Sequence, residues 1–407
     1  MGGVLKDHKA APPGHCLTRK LLTRSLYALF LLGILHICLF PRRPLQAHIP
    51  SIIATGTGTG TDTGTTTTTT VAAATDDCDY SVGQWVRAAA GPQYNGSSCA
   101  TIKDGQNCMA HGRPDAGYLY WRWQPQGCSL PPFDAVAFLH LLRDRHVAFV
   151  GDSMARNQLD DGEEGKFRRW RFPSHNATVS VFWSPFLVEG VEKSAAAGLD
   201  HNELFLDEVD RRWAAELGSI HWVVLSVGHW FLHPAVYYDK RGGAVLGCHY
   251  CPNLNHTEVG FFGVYQRAFR TALAAATGGS ARNVVVATFS PAHFEGEWDK
   301  AGACPKTEPY SPGEKPLQWM DMELRRLQLE EAAAAGAAPL DVTAMAGMRP
   351  DGHPGPYMRA FPFAGGATER VQNDCVHWCL PGPVDAWNEI LLQLVRRRSL
   401  AVGGGGR

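Results

Sequence analysis

The sequence predicts an α/β fold built on a mostly parallel sheet covered by helices on both faces. Three observations carry this. From Phe133 onward short apolar runs alternate with helical patterns. The runs His146–Val150, Ile220–Val227 and Asn283–Phe289 are apolar without alternation, as in strands buried on both sides. Small and polar residues gather just after them: Gly151-Asp152-Ser153, Gly228-His229-Trp230 and Ser290-Pro291. In an open parallel sheet, functional groups collect at those carboxyl ends.

The elements follow in order. Phe133–Arg143 has helical spacing, with Phe138, Leu141 and Leu142 on one side. His146–Val150 is the first strand, and Val179–Phe182 a short one. Ile220–Val227 is a buried strand, Tyr265–Ala275 a helix, and Asn283–Phe289 a further strand. Met320–Ala335 is a long helix rich in Glu, Arg and Ala, Leu340–Val342 a last short strand, and Trp387–Val395 a closing amphipathic helix.

The chain upstream has a different character. Residues 1–25 are polar and basic. Leu26–Phe40 is a compact apolar run ended by Pro41, Arg42 and Arg43. A cleaved signal peptide has an apolar core of this length, but no small-x-small site follows closely, so a transmembrane signal anchor is expected. Lys6, Lys9, Arg19, Lys20 and Arg24 precede the run and only two basic residues follow at once, which orients the N-terminus to the cytosol. Residues 41–75 contain a Thr/Gly-rich tract that cannot bury a core and reads as a flexible stem. Residues 76–132 hold four cysteines with little periodicity, the mark of a disulfide-tied lobe. Residues 133–396 carry the α/β pattern, and 397–407 read as a flexible tail. Anchor, stem and luminal domain together are the layout of a single-pass type II Golgi enzyme. The sequons at Asn95, Asn176 and Asn255 fit glycosylation in a lumen. A formal net charge of −1 gives no general attraction for nucleic acid or acidic lipid.

The chemistry rests on two stretches. Val147–Val150 leads through Gly151-Asp152 to Ser153 where a helix begins, which lifts a hydroxyl clear of the sheet edge. In Asn373-Asp374-Cys375-Val376-His377-Trp378-Cys379, an Asp three residues before a His can fold back and accept its Nδ1–H, leaving Nε2 as a base. The same stretch contains Cys-x-His-x-Cys, which suits a metal instead, although an oxidising lumen disfavours free thiolates. Cys248-His249-Tyr250-Cys251 has the spacing of a redox motif, and a local disulfide or pairing with distant cysteines is the preferred reading. Wide cysteine spacings without a His pair argue against zinc in residues 76–132. His229, His293 and His353 compete as structural or pocket-lining histidines. Trp121, Trp123, Trp183, Trp230 and Trp378 are candidates for stacking on sugar rings.

Gly151-Asp152-Ser153 with Arg156-Asn157-Gln158, Gly228-His229-Trp230-Phe231, Arg349-Pro350-Asp351-Gly352-His353-Pro354-Gly355 and Asp374-Cys375-Val376-His377-Trp378-Cys379-Leu380-Pro381-Gly382 together resemble the plant trichome-birefringence-like polysaccharide O-acetyltransferases. The likeness covers roughly residues 77–396, with Cys78-Asp79 and Gln106-Asn107-Cys108 through Trp123 similar to that family's N-terminal lobe. Cys248–Cys251 and Ser290-Pro291-Ala292-His293-Phe294-Glu295-Gly296 look most like the xyloglucan-acetylating subgroup. The resemblance implies an SGNH/GDSL-hydrolase-like three-layer sandwich, Golgi residence and acetyl transfer to wall-polysaccharide hydroxyls. It implies Ser153 as nucleophile, His377 as base and Asp374 as its orienting acid. Asn157, Gly228 and His229 are then oxyanion candidates, and Arg156 a donor or acceptor contact. No tightly bound cofactor or metal is expected. An acetyl donor is required, and acetyl-CoA is a reasonable one, although no nucleotide fingerprint is visible. Xylan, mannan or pectin as acceptor, an acetyl esterase, and an inactive polysaccharide binder are the alternatives.

One departure stands out. After Gln158 the family continues its helix with an apolar stretch carrying a cysteine. This chain runs Leu159-Asp160-Asp161-Gly162-Glu163-Glu164-Gly165-Lys166 into Phe167, roughly fifteen to twenty residues shorter, leaving a nucleophile helix of about two turns. Cys78, Cys99, Cys108, Cys128, Cys248, Cys251, Cys304, Cys375 and Cys379 are the luminal disulfide candidates. Nine is odd, and Cys99 is the residue expected to be left over.

Overall fold

The structure, a computed structural model, describes residues 78–159, 167–251, 253–278, 282–366 and 370–404. The expected cytosolic tail, membrane anchor and stem lie outside the described residues. Among those described, no helix is long and apolar enough to cross a membrane.

The centre is a six-stranded sheet. Its strands are β3 (His146–Gly151), β4 (Phe167–Phe172), β5 (Ala177–Trp183), β8 (Trp222–Ser226), β11 (Asn283–Ala287) and β12 (Ala338–Leu340), in the order β12-β11-β8-β3-β5-β4. All pairs are parallel except β4 with β5. From β3 the chain moves to β5 on one side and later returns to β8 on the other. The order therefore reverses between β3 and β8, which opens a crevice at their carboxyl ends. Ser153 follows β3, and Gly228-His229 follows β8.

The continuous apolar runs are explained by two cores. Ala148 and Val150 of β3, with Val223 and Leu225 of β8, face one core with Tyr265, Phe269 and Leu273 of α4 (Phe262–Thr277) and Leu324 and Leu327 of α5 (Trp319–Ala334). Val147, Phe149 and Val224 face the other, with Trp387, Ile390 and Leu391 of α7 (Val384–Gly404) and Phe138 of α1 (Ala135–Leu141). Alternation by two along each strand feeds both helical layers, so every strand position must be apolar. This is the three-layer sandwich that the resemblance implies.

A second sheet was not legible in the sequence. The strands β6 (Val188–Val191), β7 (Asn202–Val209), β9 (Ala235–Tyr238) and β10 (Val245–His249) pair in the order β10-β9-β7-β6. Leu204, Leu206, Ala235 and Tyr237 turn from it into the first core. Two boundaries also move. The last central strand is Ala338–Leu340 rather than Leu340–Val342, because Val342 already precedes α6 (Thr343–Gly347). The closing helix does not stop at Val395 but runs to Gly404, so the tail expected from residue 397 is helical through that point. Arg397 donates to the Cys78 carbonyl at 2.9 Å and Arg398 to the Gly336 carbonyl at 3.1 Å, which ties this last stretch down.

Among its described residues the N-terminal lobe contains a two-stranded antiparallel sheet, β1 (Gly83–Arg87) with β2 (Trp121–Pro125). Four disulfides are formed among the described residues: Cys78–Cys128, Cys108–Cys379, Cys248–Cys251 and Cys304–Cys375. Cys99 is in none of them, and its Sγ lies 3.4 Å from Thr101 Oγ1. Asn95, Asn176 and Asn255 all sit on the surface.

Candidate active site

The turn after β3 is shaped by contact with β8. A Cβ on Gly151 would fall 1.8 Å from the Ser226 carbonyl oxygen, so only glycine lets the two strands approach. The Asp152 N–H donates to that same carbonyl at 3.1 Å. Ser153 then opens α2 (Ser153–Leu159) with its side chain half-buried. The helix has about two turns, as expected. Its buried residues are Met154, Ala155, Asn157 and Gln158, so it presents an inward face despite the acidic continuation. Beyond it a cavity of about 710 Å³ is lined by Leu159, Trp121, Trp123, Phe133 and Leu380, among others.

Asp152 was not singled out from the sequence. Its carboxylate is wholly buried and accepts the Met154 N–H and the Gly228 N–H, each at 2.9 Å. It therefore ties the Gly151–Ser153 turn to the loop after β8. Burial pushes its pKa up to about 6, although these amides and the nearby His377 pull the other way. A Cβ on Gly228 would meet Phe289 at 2.4 Å, which keeps this position glycine.

The Asp374–His377 turn folds as its spacing suggested. Asp374 Oδ1 accepts the amides of Val376 and His377 at 3.0 and 2.9 Å, and Oδ2 accepts His377 Nδ1–H at 2.7 Å. Burial works against charge on both groups, but the pair outweighs it. Asp374 lies well below the usual carboxylate range, and His377 lies above the ordinary histidine value. His377 Nε2 is buried and has no hydrogen-bond partner among the described residues, so the bond to a serine is not closed in this structure. Nucleophile–base contacts of ligand-free sites are commonly open in this way.

Two brackets hold the His377 backbone. Asn157 Oδ1 accepts the Trp378 N–H at 2.7 Å, and its Nδ2 donates to the Trp378 carbonyl at 3.3 Å. His353 Nδ1–H donates to the His377 carbonyl at 2.7 Å. Its other nitrogen lies 2.7 Å from His293 Nδ1, and His293 Nε2–H donates to the Gly347 carbonyl at 2.9 Å. Cys375 and Cys379 do not bind a metal. Each is bridged to a distant cysteine on either side of His377.

The structure reassigns several expected residues. Asn157, an oxyanion candidate, is wholly buried, and both ends of its amide engage Trp378. The Gly228 N–H is taken by Asp152. His229 donates Nε2–H to the Ser290 carbonyl at 2.9 Å, and burial holds its pKa down at about 4, so it is neutral. The Arg156 guanidinium stacks 4.6 Å from the Trp183 ring centre. Trp123, Trp183 and Trp378 are buried, with Trp123 Nε1–H on the Tyr80 carbonyl and Trp378 Nε1–H on Ser290 Oγ. Trp121 and Trp230 are half-buried. Buried indoles committed to the core offer no face to a sugar.

A serine at the head of the helix after the first parallel strand of the central sheet, together with a His–Asp couple on a loop near the C-terminus, defines an SGNH-type α/β domain. The sequence agrees with that class. The profile of the GDSL/SGNH-like acyl-esterase family found in Pmr5 and Cas1p matches residues 130–161 and 159–394, and that of the PMR5 N-terminal domain matches 76–129. The chain belongs to this family. It is 52% identical to xyloglucan O-acetyltransferase 1 of Populus trichocarpa and 55% to xyloglucan O-acetyltransferase 2 of the same species, each over 98% of both chains. It is 57% identical to xyloglucan O-acetyltransferase 1 of Arabidopsis thaliana, over 79% of this chain and 80% of that one. The Populus matches run over 429 positions against 407 residues here, so at least 22 positions have no counterpart in this chain. The family match itself breaks at residues 159–161, beside the departure after Gln158.

Proposed function

We propose that this protein is an O-acetyltransferase that acetylates xyloglucan through a Ser153 acyl-enzyme, on the luminal side of the Golgi membrane. The observation that carries the mechanism is the 2.7 Å bond from His377 Nδ1–H to Asp374, which leaves Nε2 as an unpartnered base beside the Ser153 turn. The acceptor is supported by three relatives that bear that activity in their names.

His377 Nε2 takes the Ser153 hydroxyl proton as Oγ attacks the acetyl carbonyl. The proton passes to the departing donor, and the acetyl group stays on Ser153. A sugar hydroxyl then gives its proton to Nε2 and attacks the acetyl carbon. Oγ leaves and recovers the proton. Asp374 stabilises the imidazolium in both halves. The Ser153 N–H is the natural donor to the oxyanion at each tetrahedral stage. Acetyl-CoA is the proposed donor class.

The test is incubation of the purified protein with labelled acetyl donor and xyloglucan oligosaccharide. Label is expected in the sugar, and none with Ser153→Ala. Release of free acetate without transfer would assign an esterase instead.

A further inference from the structure

All 12 tryptophans lie among the described residues, and only Trp298 and Trp319 are exposed, at 56% and 65%. They differ in setting. Trp319 opens α5 and packs its ring edge-on against Phe262, with centroids 4.9 Å apart. Trp298 sits on the loop that leaves β11 and is laced to the residues just before the His–Asp turn. Its carbonyl accepts the Asn373 N–H at 2.9 Å and Asn373 Nδ2 at 3.2 Å. The Lys300 carbonyl accepts Nδ2 at 2.7 Å, and the Asp299 carbonyl accepts the Val371 N–H at 2.9 Å. The Cys375 carbonyl accepts the His293 N–H at 3.0 Å, and the Cys304–Cys375 bridge closes the loop.

The backbone of Trp298 is thus fixed one residue away from Asp374, while the indole stays in water. Leaving a large apolar ring exposed forfeits the burial that such rings normally contribute. A firmly held backbone makes this an ordered, standing surface rather than a loose loop tip. Its surroundings are polar, with the Glu297–Lys300 ion pair at 2.7 Å on the same loop. An aromatic face among polar groups suits a pyranose, which presents C–H bonds on its face and hydroxyls at its edge.

We propose that Trp298 is a stacking platform for a pyranose of the acceptor chain, forming a subsite on the rim beside His377. This rests on the acetyl-transfer reading above. That reading has His377 deprotonate the acceptor hydroxyl, so sugars flanking the reacting one must cross the rim on the side of the His–Asp loop. Phe294, four residues earlier on the same loop, is likewise exposed.

Binding separates this subsite from the chemistry. Xyloglucan oligosaccharide is titrated by calorimetry into the full chain carrying Ser153→Ala, alone and combined with Trp298→Ala, Trp298→Phe or Trp319→Ala. Trp298→Ala is expected to weaken binding roughly five- to tenfold, the worth of one aromatic stack. Trp298→Phe should recover most of it, and Trp319→Ala should bind as the parent does. In the chain with Ser153 intact, the Trp298→Ala loss should fall on KM for the oligosaccharide rather than on kcat. Unchanged binding with Trp298→Ala overturns the subsite, as does an equal loss with Trp319→Ala or a parent that binds no oligosaccharide. A chain with Ser153 intact that binds the oligosaccharide but transfers no acetyl overturns the triad reading alone.

Discussion

His377 combines two opposed influences, burial against the cation and Asp374 in its favour, and the second wins. A base must be neutral to act, so acetyl transfer should rise with pH through a midpoint above the ordinary histidine value near 6.5. Asp374→Asn removes the charge that raises it. The acidic limb of the kcat profile should then move to lower pH while the maximum rate falls, by about 10⁴-fold in the best-studied serine triad. Measuring initial rates from acid to neutral pH in both proteins checks the direction. Stability runs the other way. The raised folded-state pKa of His377 contributes fully below the unfolded value and is lost as pH climbs through the folded one. Asn157→Ala tests the clamp on Trp378. Losing a buried reciprocal pair of hydrogen bonds should cost about 1–3 kcal/mol of site order. It should lower kcat and leave acceptor KM in place, read by steady-state kinetics at fixed donor. The Asp374–His377 couple was legible because its spacing is local, three residues apart. The tie made by Asp152 and the clamping roles of His353 and Asn157 were not, since each acts through partners far along the chain: 76, 24 and 221 residues away.

The Asp374–His377 loop is held as an element by its two bridges. Cys304–Cys375 closes a stretch of 71 residues, and its removal by a Cys304→Ser/Cys375→Ser pair should cost about 2–4 kcal/mol. Denaturant unfolding measures it. The central strands were readable because burial on both faces leaves no polar position, as in Val147–Val150. The second sheet was not, because β7 (Asn-Glu-Leu-Phe-Leu-Asp-Glu-Val) carries three acids and reads as a mixed polar stretch. Its Asp207 is spent on an exposed pair with Arg267 of α4 at 2.6 Å, while Leu204 and Leu206 do the packing. Helix α2 shows the same override. Its short length predicts weakness in isolation, yet Gln158 and Asn388 trade hydrogen bonds at 3.2 Å, and Met154 is buried in the core.

Across the whole molecule, the N-terminal lobe and the α/β domain share one interior. Arg349 and Asp351 form a fully buried ion pair at 2.8 Å. Arg349 also donates to the Tyr118 carbonyl and stacks over Trp85, both in the lobe. Arg349→Leu strands a buried carboxylate and should destabilise the protein by about 3–5 kcal/mol, whereas replacing both partners with apolar residues should cost less. Thermal unfolding of the single and double variants separates the two. Arg113 of the lobe donates to the carbonyls of Asp351 and His353, and Cys108 is bridged to Cys379, 271 residues later and two beyond His377. The boundary that the two family profiles draw at residue 129 is therefore not a seam. A chimera that borrows its first part from one relative and its second from another inherits mismatched halves of the packing around His377. Exchange of acceptor preference between relatives should be sought in single rim residues, not in transplanted lobes.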